Sequence, residues 1–144
     1  MTDINQTRRK VMLIGNRLHI KGMSLSDALK RAWAIIKHGI NTKVKGVTFG
    51  NVQKALEHLT RYNPNDVIIK VKRDISNLYD SNAIEVYAGI KTKGIVKIGF
   101  LPAPLAFALS RLIDKGYPIS ALYGEIRGKY EDYMNYGIEI KLSI

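Results

Sequence analysis

Five short runs rich in β-branched residues, at 67–73, 83–89, 95–101, 119–128 and 136–144, constrain this chain more than any other feature. Each has the length of a strand, and the links between several of them are too short to carry the crossover helix that a parallel pair needs. A sixth run, VKGVTF at 44–49, reads as a further strand. Segments with helical periodicity interrupt the series at 51–62 and 103–115. In the second, Pro102 opens the helix and Gly116 closes it. The expected fold is α+β and mainly β: a small antiparallel, partly open barrel with two helices.

Residues 1–43 read as an extension of residues 44–144. Within it, the runs VMLI and RLHI flank Gly15-Asn16, a dipeptide suited to a two-residue hairpin turn, so a β-hairpin is expected over 11–20. A helix then begins at Ser24, three residues before Asp27 in a near capping box. It carries Leu25, Ala28, Leu29, Ala32, Ile35 and Ile36 at helical spacing and stops at Gly39. That apolar stripe is needed to cover a core, which disfavours a membrane-surface role for the helix. Asn41-Thr42-Lys43 reads as a polar connection, and Asn63-Pro64-Asn65-Asp66 as a turn.

Charge sets the class of partner. Of the 144 residues, 23 are Lys or Arg against 12 acids, a formal net charge of +11. Residues 1–45 hold ten of the cations and two of the acids, so most of the excess lies in the first third. Arg8, Arg9, Lys10, Arg17, Lys21, Lys30, Arg31 and Lys37 are the candidate electrostatic contacts there. Such a block suits an anionic partner, nucleic acid foremost. The absence of cysteine removes disulfides, thiolate metal sites and cysteine nucleophiles, and suits a reducing cytoplasm. His19, His38 and His58 fall on different expected elements, no phosphate-binding glycine loop is present, and no nucleophile has an evident base. A non-catalytic protein without cofactor or metal is expected, and sequence alone leaves its oligomeric state open.

The link between the runs at 67–73 and 83–89 reads DISNLYDSN. Asn77, Asp80 and Asn82 can bond their own backbone, so the loop can be a rigid polar turn that presents Tyr79. An aromatic ring held in that way can stack on an unpaired base. A carboxylate beside it repels phosphate, so Asp80 suits a ligand hydroxyl or base amine. The alternative is that Asp80 and Asn82 only tie the turn while Tyr79 covers core. Tyr130, Tyr133 and Tyr136 are read as covering one end of the barrel.

Around this loop stand Gly46-Val47-Thr48-Phe49, Gln53 and Leu56 before it, and Ile98-Gly99-Phe100-Leu101-Pro102, Leu105-Ala106 and Asp114-Lys115-Gly116 after it. With N-x-Y-D-x-N-A-I from Asn77 to Ile84, these motifs resemble a HIRAN domain over roughly residues 44–144. The resemblance implies an OB-like barrel with two helices. Such domains occur alone in bacterial and phage proteins and fused to helicase-type motors in eukaryotic fork-remodelling proteins. Characterised members bind single-stranded DNA and recognise a free 3′-hydroxyl end.

Carried over, Tyr79 is expected to stack on the terminal base and Asp80 to accept from the terminal hydroxyl, with Asn77 on the same loop. Phe49, on the first barrel strand, matches an aromatic that contacts DNA. Thr48, Gly50, Phe100 and Ala103 depart from the family's DNA-binding pattern, which has basic, aromatic or polar residues there. Lys70, Lys72 and Arg73 are candidates to replace the phosphate grip; strand alternation sends the two lysines to one face and Arg73 to the other. The partner expected on this reading is single-stranded DNA or a DNA end, or a nucleoprotein complex, and not a membrane. The rival is a protein-interaction module, such as a phage or mobile-element inhibitor of a bacterial defence or replication protein.

Overall fold

The computed structural model describes residues 3–128 and 135–144. Two helices come first, α1 (Ile4–Ile20) and α2 (Leu25–His38), then a short strand β1 (Ile40–Lys43) and α3 (Gly50–Leu59). Strands β2 (Val67–Arg73), β3 (Ile84–Ile90) and β4 (Gly94–Phe100) follow, then α4 (Ala103–Asp114), β5 (Ser120–Arg127) and β6 (Gly137–Ser143). All pairings are antiparallel, in the order β1-β6-β5-β2-β3-β4, which gives the expected α+β class with an open, barrel-like sheet. β2 and β5 are paired through one register position, Ile69 opposite Ala121.

The edges of that sheet come together just beyond β1. Lys45 and Phe100 exchange backbone hydrogen bonds of 2.7 and 2.9 Å, an isolated bridge between the chain after β1 and the end of β4. Only a glycine permits this approach: a Cβ on Gly99 would overlap the Lys45 carbonyl oxygen and lie 2.9 Å from Val44 Cγ1. Ile84 and Val86 of β3, Ile98 of β4, and Ile138, Ile140 and Leu142 of β6 fill the interior. Leu56 of α3 and Leu109 and Leu112 of α4 pack on them, all essentially without solvent exposure.

Three expectations are corrected. Residues 11–20 form no hairpin but most of α1, whose N-cap Asp3 accepts from Asn5 N. Val11, Ile14 and Leu18 lie at i, i+3 and i+7, and Gly15 is buried at the crossing with α2, where a Cβ would stand 2.9 Å from Leu29 Cδ2. The glycine therefore serves close helix packing rather than a turn, and tertiary contact offsets its poor helix propensity of about 1 kcal/mol. The second correction concerns residues 44–49, where Gly46 at φ 79° breaks the run. Only Val44 and Val47 turn inward, and Gln53 holds the segment by donating to the Val47 carbonyl at 2.6 Å. Third, the strand that does form is the polar connection 40–43, which alternates inward and outward and pairs along its length with β6.

Other local readings agree with the fold. Asp27 N donates to Ser24 Oγ at the start of α2, Gly39 ends it at φ 73°, and Pro102 caps α4. Tyr130 and Tyr133 lie outside the described residues. No helix among the described residues is long and apolar enough to cross a membrane.

Candidate nucleic-acid interface

The loop between β2 and β3 is fixed by its own side chains. Asn77 Oδ1 accepts from the backbone N–H of Tyr79 at 2.8 Å and of Asp80 at 2.9 Å. Asn77 Nδ2 in turn donates to Asp74 Oδ2, and Asp80 Oδ1 accepts from Asn82 N at 2.9 Å. These are Asx-type turns, the behaviour that the Asn and Asp content predicts. Their result is a rigid platform whose apolar side chains face solvent: Ile75 is 83%, Leu78 93% and Tyr79 99% exposed. Tyr79 covers no core. Leu78 and Ile75 were not legible as exposed, because an apolar residue in a loop more often turns inward.

Two arginines clamp the loop to the body. Arg73, at the end of β2, donates to the carbonyls of Ala83 at 2.8 Å and Ser81 at 2.9 Å and pairs with Asp114 of α4 at 2.9 Å. Its guanidinium is thus committed to holding the loop. Arg17 of α1 donates through Nη2 to Asn82 Oδ1 at 2.7 Å and through Nε to the Phe107 carbonyl at 2.9 Å. It also stacks on the Phe107 ring, 3.6 Å from its centroid. Ser110, buried in α4, donates to the same Asn82 oxygen at 3.1 Å. Burial first, and then neighbouring Arg111, lowers the Arg17 pKa from its ordinary value. Sequence alone counted Arg17 with the diffuse charge; its role depends on α1 being a helix against α4.

Asp80 borders two clefts. One is lined by Tyr79, Asp80, Lys45, Phe100 and Ala103 among others. The second holds Asp80, Asn82, Lys21, Pro104 and Phe107, with Lys21 Nζ 4.4 Å from the Phe107 ring centroid. Phe100 and Ala103 therefore give the first cleft an apolar floor, and Lys97 lies over the Phe100 ring at 4.3 Å. Lys45 was missed as a site residue, since nothing local says that the barrel closes beside the loop.

The remaining candidates are dispersed. Lys70 and Lys72 share the exposed face of β2 while Arg73 turns the other way, as alternation predicts. Phe49 is not on a strand: it is the N-cap of α3, 71% exposed, with Thr48 and Gly50 exposed beside it. Phe49 does not line either cleft at Asp80. Arg8, Arg9 and Lys10 lie near the start of α1, where Lys10 sits 5.7 Å from the Tyr117 ring centroid. Lys30, Arg31 and Lys37 are exposed on α2, which packs against α1 and β6. No cluster of three His, Cys, Asp or Glu suited to a metal occurs among the described residues.

The family profile described as HIRAN domain matches residues 39–144, most of the chain. The chain belongs to the HIRAN domain family. This is a family of DNA-binding domains. No curated protein and no solved structure matches the chain. The HIRAN match begins at Gly39, just after α2, so α1 and α2, including the Arg17 anchor, lie outside it.

Proposed function

We propose that this HIRAN protein is a non-catalytic module of the cytoplasm that captures the 3′ end of single-stranded DNA at the 74–83 loop. The observation that carries the reading is a fully exposed Tyr79 on a backbone fixed by Asn77, next to a carboxylate with one oxygen committed to the turn. In that arrangement Tyr79 stacks on the terminal base, a contact worth about 1–3 kcal/mol. Asp80 Oδ2, which accepts no hydrogen bond among the described residues, accepts from the terminal hydroxyl. A terminal phosphate in the same place meets a like charge and is rejected. Lys45 and Lys21, one in each cleft at Asp80, neutralise the first phosphates inward from the end.

Competition binding with matched oligonucleotides ending in a 3′-hydroxyl or a 3′-phosphate tests this reading. The hydroxyl end should win, and Asp80→Ala should erase the preference while the protein stays folded. Equal affinities for the two ends in the unsubstituted protein would sink end recognition.

A further inference from the structure

The first helix lies beside the loop at one end and carries unneutralised charge at the other. Its C-terminal part meets Phe107 and Ser110 through Arg17, while Lys10 reaches Tyr117 beyond the end of α4, so the two helices run antiparallel. Phe107 and Arg111 of α4 and Lys115 at its C-cap recur every four residues and form one stripe. At the loop end of the seam, Lys21 and Phe107 line the cleft that contains Asp80. At the far end, Arg9, Leu13, Asn16, Lys115 and Tyr117 line another cleft.

We propose that this α1–α4 seam is the track for the strand behind a captured 3′ terminus, with Arg9, Lys21, Arg111 and Lys115 holding its phosphates. The inference rests on the loop being an end-binding site and says where the rest of the strand goes. Charge complementarity selects the occupant. All four cations are exposed, and none is in an ion pair among the described residues. The nearest α4 carboxylate, Asp114, is already held by Arg73. Arg111 acts on Arg17 as a like charge that Asp114 offsets only in part, and an anionic chain along the seam would offset it further.

The competing path, over the outer face of β2, β3 and β4, is less suited. There Glu85 stands opposite Lys72 and pairs with Lys97 at 3.0 Å, so part of the positive charge is cancelled and a carboxylate faces the strand. From Arg9 to Lys21 the helix rises ~18 Å. That length accommodates about five nucleotides at the ~3.4 Å rise of a stacked strand.

The test is fluorescence anisotropy on the full chain with 3′-hydroxyl oligonucleotides of about 4 and about 12 nucleotides, across a salt series. The unsubstituted protein should bind the longer strand more tightly. In Arg9→Ala/Lys115→Ala the ratio of long to short affinities should collapse, and the salt slope for the long strand should fall by about 1.4, two contacts at about 0.7 each. An unchanged ratio and slope overturns the track, as does finding that Lys70→Ala/Lys72→Ala is the pair that removes them. Tyr79→Ala, run on both lengths, tells two failures apart. If it weakens both while the Arg9/Lys115 pair is silent, the loop reading stands and the track falls. If Tyr79→Ala is silent at both lengths, the loop reading fails and takes the track with it.

Discussion

Arg17 of the first helix donates to Asn82 of the β2–β3 loop at 2.7 Å, across 65 positions of chain. An element outside the HIRAN match thereby helps set the geometry of the loop inside it. The same Asn82 fixes Asp80 by donating its backbone N–H to Oδ1. Helix α1, Asn82 and Asp80 thus form one connected hydrogen-bonded series.

Breaking that link should loosen the loop. Arg17→Ala removes three hydrogen bonds from a charged donor, to Asn82, the Phe107 carbonyl and Ser110, together with the stacking on Phe107, and should cost about 1.5–3 kcal/mol of stability. Arg17→Lys should recover little of it, because an ammonium cannot serve Asn82 and the Phe107 carbonyl with one planar group. Chemical denaturation measures the cost, and amide exchange at Asn82 and Ala83 should quicken in both variants. Unchanged exchange there would show that the loop holds itself.

Tyr79→Ala separates binding from folding. A side chain that is 99% exposed contributes almost nothing to the core, so the melting temperature should stay put. Affinity for single-stranded DNA should drop about 5- to 150-fold, the equivalent of one lost stacked base. Comparable affinity by anisotropy would remove Tyr79 from the interface.

Closure of the barrel rests on Gly99. In Gly99→Ala the new methyl meets the Lys45 carbonyl, a backbone atom that cannot step aside without giving up the Lys45–Phe100 bridge. A loss of about 3 kcal/mol is expected by urea denaturation. Because Lys45 and Phe100 both line the cleft at Tyr79, DNA affinity should fall with it, at a temperature where the variant is still folded.

The helical reading of residues 4–20 has its own test. Gly15→Val places a branched side chain against Leu29 at the α1–α2 crossing and should cost about 1–3 kcal/mol. Were 11–20 a hairpin, a valine there would disturb only a turn that needs positive φ, and the helical content seen by circular dichroism would be lower at the outset.

Much of the loop was legible before any coordinates. Asn77 and Asp80 make Asx turns because their side chains accept from backbone N–H groups two or three residues on, as their types predict, whereas the Asn82 side chain accepts instead from Arg17 and Ser110. The strands at 67–73 and 137–143 and the caps of α2 and α4 were legible for the same reason: each depends on residues within one turn of itself. Gly15-Asn16 misled because a glycine reads alike whether it supplies positive φ or room for a neighbouring helix. Only the residue on the other side, Leu29, distinguishes the two.

Sequence alone therefore determined the α+β class, the run of antiparallel strands and the polar turn that presents Tyr79, because periodicity and side-chain-to-backbone bonds are local. Tertiary structure decided that Arg17 anchors the loop, that Lys45 and Lys21 flank Asp80, and that the basic N-terminus forms a seam with α4. Those pairings join residues as far apart as Arg17 and Phe107. They depend on how helices and sheet edges pack, which no local pattern encodes.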